Sequence, residues 1–321
     1  MPTSTDRAGA ELDRLLRKAP VRVANASRNA KAGRDRRRRW APARDALWEF
    51  VAPVLSEGAR VAIVGAGNGD DLPLRRITGR AAEVVLIDID PRAAEGARRV
   101  VRRAERRKVE VIGHDVTGGA ADAIALAALG DGGAGIEPGA TGAGDLRPGK
   151  RTVGRPRSES PGEPLPGAPY DLAIGDLFYS QLLYPALLDL GVDGDRIDAT
   201  IAAHAPSLTR DAVARLHASA PVVVHVHDPL AWWDGHEQPV SLEEILDLAA
   251  SDGPEAALAL AARGSGPHES DPRTALAKLD LTPTATALWH WPFTEGVDYL
   301  ACATRQTSAS PQPQGRVADI G

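Results

Sequence analysis

Cysteine, methionine and aromatic residues are scarce in this sequence of 321 residues, which has one cysteine, one methionine and 4% aromatic side chains. The single cysteine, Cys302, excludes an intramolecular disulfide and suits a reducing compartment. No apolar run approaches the roughly 20 residues of a membrane-spanning helix, and residues 1–25 lack the apolar core of a secretory signal. We therefore expect a cytoplasmic protein without a membrane partner.

Charge is unevenly distributed along the chain, whose formal net charge is −5. Residues 1–108 contain 25 Lys and Arg against 14 Asp and Glu, and the rest of the chain contains 13 against 29. "RDRRRRW" at 34–40 is so rich in arginine that mutual repulsion favours a frayed or partly helical stretch. This Arg-rich segment could attract nucleic acid, although no aromatic-interleaved RNA motif accompanies it.

Apolar, strand-like runs alternate with helical patterns along most of the chain. Five such runs are predicted at 60–67, 83–91, 109–115, 170–178 and 221–229, and two more flank the turn "TEG" near the end. The alternation predicts an α/β fold: a doubly wound seven-stranded sheet, mostly parallel with a C-terminal antiparallel hairpin, and with helices on both faces. Ligands of such sheets bind beyond the carboxyl ends of the strands, where strand order reverses.

The composition also divides the chain into segments. We predict a basic, partly disordered N-terminal segment at 1–40, a single folded domain at 41–306 and a disordered tail at 307–321. Within the domain, residues 130–168 have no periodicity and are rich in glycine and proline, which predicts a flexible insertion. Residues 230–280 are predicted as a helical insertion. Amphipathic patterns predict helices at 41–55 and 92–108.

The turn after the first strand, "GAGNGDD" at 65–71, carries three alternating glycines and then two aspartates. Glycines there allow positive φ and a close approach of a ligand to the backbone. The dinucleotide fingerprint needs glycine where Asp70 stands. We expect Asp70 and Asp71 to cap the next helix and to repel a pyrophosphate at its N-terminus. The turn therefore favours a cofactor without phosphate, such as S-adenosylmethionine.

"VGAGNG", "LIDID", "GHD" and "YDLAIGD" follow one another on successive predicted strands. In this order they resemble motifs I to IV of the class I S-adenosylmethionine-dependent methyltransferases, and "ALWHWPFTEGVDYLACATR" resembles the last two strands of that family. The resemblance covers residues 58–305, apart from the two insertions. It implies S-adenosylmethionine as the cofactor and methyl transfer to an acceptor, for which a small molecule is favoured over RNA or protein.

Carried over by position, the resemblance also assigns roles to individual residues. Asp88 would accept hydrogen bonds from the two ribose hydroxyls, and Asp115 would accept one from the adenine amino group. Asp115 could instead cap the turn that follows it. Asp176 would face the methyl donor and the acceptor. Gly65, Gly67 and Gly69 would pass beneath the methionine and ribose, and Ala66 and Asp70 are also expected to bind the cofactor.

One position departs from the family pattern. Many members have an acidic residue two positions before the first glycine, where this chain has Ile63. Asp70, Asp71 or Asp176 could then neutralise the ammonium group of the cofactor.

Candidates for acceptor chemistry follow the fourth and fifth strands. Asp176 is the first candidate for a general base, followed by Tyr179 and the histidines of strand five. Of these histidines, His227 is the catalytic candidate, and with Asp228 it could orient or deprotonate an acceptor hydroxyl or amine. Tyr179 and Trp232 are candidates for substrate binding. The run "HVHD" places His225 and His227 on one face of a strand, but no partner motif supports a metal site, so we predict none.

Three alternative interpretations remain. An aminopropyltransferase similar to spermidine synthase shares the aliphatic Ile63, but usually has aspartate where Asn68 stands and an Asp-rich motif where this chain has "GDLFYS". A non-catalytic RNA- or protein-binding scaffold would account for the basic third. A nicotinamide enzyme is disfavoured by Asp70.

Overall fold

A computed structural model of the chain describes residues 18–31, 33, 35–130 and 162–307. Seven strands form one sheet. They are β1 Arg60–Val64, β2 Glu83–Asp88, β3 Val109–Gly113, β4 Leu172–Asp176, β5 Val222–Trp233, β6 Ala285–Thr294 and β7 Val297–Thr307. Their order across the sheet is β3-β2-β1-β4-β5-β7-β6.

The pairing of these strands confirms the predicted fold class. β1 pairs in parallel with β2 and β4, β2 with β3, and β4 with β5, whereas β7 is antiparallel to both β5 and β6. The chain runs outward from β1 to β3 and then returns to place β4 on the other side of β1. The loops after β1 and β4 therefore diverge and leave a crevice between them.

Helices cover both faces of the sheet. In chain order they are α1 Pro20–Ala30, α2 Arg36–Arg39, α3 Ala41–Val51, α4 Leu74–Arg80, α5 Pro91–Val100, α6 Ala120–Gly130, α7 Tyr184–Asp189, α8 Gly194–Ser219, α9 Leu242–Ser251, α10 Pro254–Ala261 and α11 Pro272–Lys278. In the described part of the chain, no helix is both long and apolar enough to cross a membrane.

Side-chain alternation along the strands sorts the helices into layers. Ala62 and Val64 of β1 join a core with α1, α6, α7, α8 and α11, whereas Val61 and Ile63 join a second core with α3, α4 and α5. A smaller cluster packs α9 and α10 against the ends of β5 and β7. All five residues of β4 are buried, as expected for a strand covered on both faces.

Several predicted boundaries differ from the structure. The predicted helix at 92–108 ends at Val100, because Val101 is extended and buried. Strand five continues to Trp233, since antiparallel pairing with β7 extends it beyond a bulge between His227 and Leu230. The first residues of the predicted helical insertion are thus strand. Most of the predicted insertion at 130–168 and the tail from 308 onward lie outside the described residues.

Candidate functional site

A cavity of about 760 Å³ opens at the carboxyl ends of the strands, over the crevice between β1 and β4. Most of the residues expected to bind the cofactor line it: Gly65, Ala66, Gly67, Asp70, Asp88 and Asp115. Asp176 also lines it, from the end of β4. A cavity of this size suits a nucleoside-sized ligand together with a small acceptor.

The three glycines of the turn after β1 all adopt positive φ, of +80° at Gly65, +45° at Gly67 and +64° at Gly69. A Cβ atom at Gly65 would lie 2.6 Å from the carbonyl oxygen of Asp176, and one at Gly69 would lie 2.8 Å from Ala97 Cβ. At Gly67 nothing comes closer than 3.6 Å. Two glycines thus permit close backbone packing, and the third leaves room for a ligand above it.

Asp88, at the end of β2, points back toward this turn. Its Oδ2 accepts a hydrogen bond from Gly67 N at 2.8 Å, and its Oδ1 accepts one from Asp90 N at 2.7 Å. Burial raises the pKa of the Asp88 carboxyl to about 6, against the opposing effect of these two amides. Each carboxylate oxygen can accept a second hydrogen bond, so the fixed group can still receive two protons from a ligand in the cavity.

Asp70 and Asp71 do not cap a helix, so that prediction is wrong. α4 begins only at Leu74, and its N-cap residue is Pro73, which makes no side-chain cap. Asp70 instead binds Arg36, with Nε 2.9 Å from Oδ2. Burial raises the pKa of the Asp71 carboxyl to about 6, against the effects of its own backbone amide and of Arg36.

Asp176 is 2% exposed, and neither of its carboxylate oxygens has a hydrogen-bond partner among the described residues. Burial, and then the nearby charge of Asp71, raises its pKa well above the ordinary value. A buried carboxyl without partners is costly. An arriving cation or hydrogen-bond donor would remove that cost.

The basic N-terminal segment contacts the same turn. Asn68 Nδ2 donates to Asn29 O at 3.0 Å, and Arg37 Nη1 donates to Gly69 O at 3.1 Å. Arg44 Nη1 donates to Asp70 O at 2.5 Å. The arginine-rich stretch, predicted as frayed or partly helical, contains the four-residue helix α2. Three arginines, with Arg36 included, therefore hold the glycine turn through side-chain contacts.

Four aromatic side chains line one side of the cavity and form what we call the aromatic wall. They are Trp40, just before α3, Trp291 and Phe293 of β6, and Tyr299 of β7. The ring centroids of Trp40 and Trp291 are 4.8 Å apart, and those of Phe293 and Tyr299 are 5.0 Å apart. Trp40 Nε1 donates to Phe293 O at 2.9 Å, which joins the N-terminal segment to β6. These contacts form a continuous apolar wall.

Tyr179, a predicted substrate-binding residue, lies in the core and not in the cavity lining. Its Oη is 2.5 Å from His225 Nδ1, and His225 Nε2 is 3.1 Å from His217 Nε2. A Cβ atom at Gly175 would lie 2.5 Å from the Tyr179 hydroxyl, so this glycine makes room for it. The packing gives Tyr179 a structural position beneath β4.

His227 and Trp232 also face away from the large cavity. His227 Nε2 lies 3.3 Å from Asp271 Oδ1, and burial lowers the His227 pKa to about 4. Trp232 Nε1 donates to Val240 O at 3.0 Å. The strand alternation instead places Trp233 in the lining, where it stacks on His236 with centroids 3.8 Å apart. In this packing His227 does not reach the large cavity, as a general base for a ligand bound there would have to.

Asp115 is engaged in its own turn. Its Oδ1 accepts from Thr117 N at 2.8 Å and from Thr117 Oγ1 at 2.7 Å, and its Oδ2 accepts from Gly119 N at 2.8 Å. These contacts correspond to the turn-capping alternative, although the residue still lines the cavity.

No group of three or more His, Cys, Asp or Glu side chains among the described residues is arranged to hold a metal ion. The histidines of the "HVHD" run are directed elsewhere, since His225 contacts Tyr179 and His227 lies against Asp271.

Sequence reasoning missed the aromatic wall and the contribution of α1. The signal for part of the wall was available in "WHWPF", because residues two apart on a strand share a face and Trp291 and Phe293 therefore point the same way. No comparable pattern predicts Asn25 and Asn29 in the lining. Their position depends on how α1 packs across the sheet ends.

Comparisons with known proteins found solved structures of low sequence identity and no match of any other kind. No protein-family model matches the chain, and no curated protein does so. Similar solved structures include a presumed RNA methyltransferase of Pyrococcus horikoshii (13% identity, 84% of this chain and 84% of that chain, TM-score 0.39). They also include magnesium protoporphyrin IX methyltransferase of Synechocystis PCC 6803 with bound S-adenosylhomocysteine (12%, 83% and 80%, 0.37). N-methyltransferase NodS of Bradyrhizobium japonicum WM9, in complex with S-adenosylhomocysteine, is a third (12%, 83% and 85%, 0.35).

Proposed function

We propose that this protein is an S-adenosylmethionine-dependent methyltransferase that acts on a small molecule. One observation carries the proposal: Asp88 is fixed by the backbone amides of Gly67 and Asp90 and faces a cavity beside an open glycine turn. A carboxylate held in this way suits the vicinal hydroxyls of a ribose, because its two oxygens can accept both protons at once.

The charged side chains at the other end of the glycine turn fit the amino-acid end of S-adenosylmethionine. Arg36 lines the cavity and could pair with a carboxylate through the guanidinium nitrogens not bound to Asp70. Asp71 and Asp176 are the carboxyls best placed to balance an ammonium and a sulfonium, since Asp70 is already paired. The residues Gly65, Ala66 and Gly67 would run beneath the ligand.

A phosphate-bearing cofactor fits the same residues poorly. α4 begins five residues after Gly69, so its N-terminus does not directly follow the glycine turn as the corresponding helix does in dinucleotide sites. The carboxyls of Asp71 and Asp176 would meet a pyrophosphate with like charge or would have to stay protonated. These features support a cationic, phosphate-free cofactor over a nicotinamide dinucleotide.

The chain's own residues would contribute positioning and a proton acceptor. When bound, the sulfonium would supply a methyl group that an acceptor nucleophile takes by in-line displacement, a reaction that depends strongly on placement of the two partners. Asp176 would take a proton at a carboxylate oxygen where the acceptor must lose one, because its raised pKa makes it a stronger base than an ordinary aspartate. The aromatic wall would exclude water.

The favoured acceptor is a small molecule and not RNA. Arg37 and Arg44 are occupied with the glycine turn, Arg36 is already paired with Asp70 through one nitrogen, and the carboxyls in the cavity would repel a phosphate backbone. Cytoplasmic location, the expected absence of a metal and the segment boundaries at 40 and 306 stay predictions.

Isothermal titration calorimetry tests the proposal directly. We expect S-adenosylmethionine and S-adenosylhomocysteine to bind the purified protein, with NADH giving no heat of binding. Decarboxylated S-adenosylmethionine should bind more weakly, because it lacks the carboxylate proposed for Arg36. Tighter binding of the decarboxylated form would favour the aminopropyltransferase alternative, and no binding of any of these ligands to folded protein would overturn the proposal.

A further inference from the structure

The part of the cavity beyond Asp176 differs in character from the part around Asp88. The strand order places β5 three strands from β2, or about 14 Å across the sheet, so Asp228 within β5 and Asp88 at the end of β2 would contact different parts of the bound ligands. Asp228 lines the same cavity as Trp233, Tyr299 and Trp291. This acceptor half, defined by these four residues, combines a carboxylate with aromatic faces.

A bulge in β5 positions Asp228. Pairing with β7 shifts register between His227 and Leu230, and such a bulge redirects the side chains within it. Ser180 Oγ lies 3.0 and 3.1 Å from the two carboxylate oxygens of Asp228 and donates its proton to them. Burial raises the pKa of Asp228 to about 6, with the Ser180 hydroxyl opposing. The carboxylate is therefore held in place by a neutral group, and among the described residues no cationic side chain is paired with it.

Acidic side chains outnumber basic ones in the lining of the whole cavity. The lining includes Asp176, whose buried oxygens have no partner in the described chain, as well as Asp198 and Glu269. The lining arginines, Arg28 and Arg36, both come from the N-terminal segment and are paired with Asp189 and Asp70. Carboxylates next to aromatic faces form the combination that binds organic ammonium ions, through ion pairing and cation–π contact.

We propose that the acceptor is a primary or secondary amine carried on an apolar, aromatic body, and that Asp228 binds its ammonium form while Tyr299 and Trp233 line the space for the body. This inference rests on the proposed methyltransferase function. Asp228 or Asp176 takes one proton from the ammonium to expose the nitrogen lone pair. The nitrogen then forms a bond to the methyl carbon as the carbon–sulfur bond breaks, its electron pair going to sulfur. The products are a methylated ammonium, which can lose its second proton to water, and a neutral thioether.

The test compares three ligands of similar shape: phenethylamine, 2-phenylethanol and 3-phenylpropionate. Each is titrated calorimetrically, at pH 8, into the protein alone and into the protein saturated with S-adenosylhomocysteine. The amine should bind at least tenfold more tightly than the alcohol, and the carboxylate should not bind. Equal binding of amine and alcohol would overturn the inference, and this comparison on the unmodified protein does not depend on any variant folding.

The variant Asp228→Asn tests whether the Asp228 carboxylate binds the amine. It should weaken phenethylamine binding at least tenfold and leave the affinity for S-adenosylhomocysteine within twofold of the unmodified protein. Asp247→Asn, on the exposed face of α9, is the matched loss of one carboxylate and should change neither. An unchanged amine affinity in Asp228→Asn would contradict the assignment. If S-adenosylhomocysteine does not bind while the amine does, the proposed function fails and the amine site stands.

Discussion

The carboxylate of Asp88 lies 2.8 Å from the backbone nitrogen of Gly67, so the end of β2 holds the turn that follows β1. Because the same carboxylate also accepts from Asp90 N, one side chain fixes both the glycine turn and the start of α5. Ligand recognition and local architecture therefore depend on the same two oxygens.

Replacing Asp88 with alanine should weaken S-adenosylmethionine binding at least about 30-fold, because hydrogen bonds to a charged group contribute about 1.5–3 kcal/mol each. The Gly67 amide also loses its partner, so a modest fall in melting temperature should accompany the change. Calorimetric titration measures the first effect and thermal unfolding the second. An affinity within threefold of the unmodified protein would exclude Asp88 from cofactor binding.

Cofactor affinity should depend on pH. Asp71 and Asp88 have pKa values raised to about 6 by burial, and each must be ionised to hold a cation or to accept two hydroxyl protons. Below pH 6 these groups are protonated in the free protein, so binding must release protons and weakens. We expect about a tenfold loss of affinity per carboxyl between pH 8 and pH 5. A Kd that is constant over this range, measured in the same ionic strength, would contradict the assignment.

Asp176→Asn should stabilise the ligand-free protein at pH 8. The folded-state pKa of Asp176 lies well above its ordinary value, so its contribution to stability is fully present below about pH 4 and is lost as the pH rises through that raised value. Asparagine does not ionise, so the variant should melt at least about 2 °C higher at pH 8. At pH 4 the two proteins should melt within 1 °C of each other.

Asp176→Asn should also lose methyl-transfer activity. A variant that is more stable but inactive would show that Asp176 is kept for function at a cost in stability. Asp247→Asn again removes one charge outside the cavity and should show no pH-dependent difference. Equal melting temperatures of Asp176→Asn and the unmodified protein at pH 8 would show that ionised Asp176 does not destabilise the folded protein.

Gly65→Ala tests the close approach of β1 and β4. Its new Cβ would lie 2.6 Å from the carbonyl oxygen of Asp176, whereas a Cβ at Gly58, with a similar φ of +75°, would meet nothing within 4 Å. Both variants share the strain of a positive φ, about 1–2 kcal/mol. Gly65→Ala should therefore be the less stable by a further 1 kcal/mol or more in urea unfolding, on the scale of overpacking. Equal losses would show that the strands can separate without cost.

Tyr179→Phe should affect stability and not binding. Its hydroxyl lies 2.5 Å from His225 Nδ1 in the core, and removing one partner of a buried hydrogen bond costs about 1–3 kcal/mol. Denaturant unfolding measures this loss. A change in the affinity for S-adenosylhomocysteine or for an acceptor larger than twofold would restore Tyr179 as a binding residue.

The sequence was sufficient for the fold class and for the position of the glycine turn, because both follow from local periodicity and backbone requirements. The strand ends at Asp88 and Asp176 were predictable for the same reason, since apolar runs end there. What Tyr179 and His227 contact was not predictable from local pattern. Tyr179 contacts His225 of β5, and His227 lies against Asp271, just before α11. Both partners are distant in sequence, so the contacts depend on how the elements pack together.

Register explains the error at Trp232. Adjacent residues on a strand point to opposite faces, and the sequence places two tryptophans together without showing which one faces the cavity. The bulge between His227 and Leu230 sets that choice. The helix predicted to begin at Asp70 failed for a different reason, since Pro73 delays the helix to Leu74.

Cys302 is fully buried in β7, where it pairs with His227 on one side and Leu288 on the other. As the only thiol in the chain, it can be alkylated only when the hairpin edge of the sheet opens. The rate at which a maleimide reagent labels the native protein therefore measures how often that edge opens. Ligands that brace Trp291 and Tyr299 would slow it, which allows compounds to be screened for occupancy with no knowledge of the reaction.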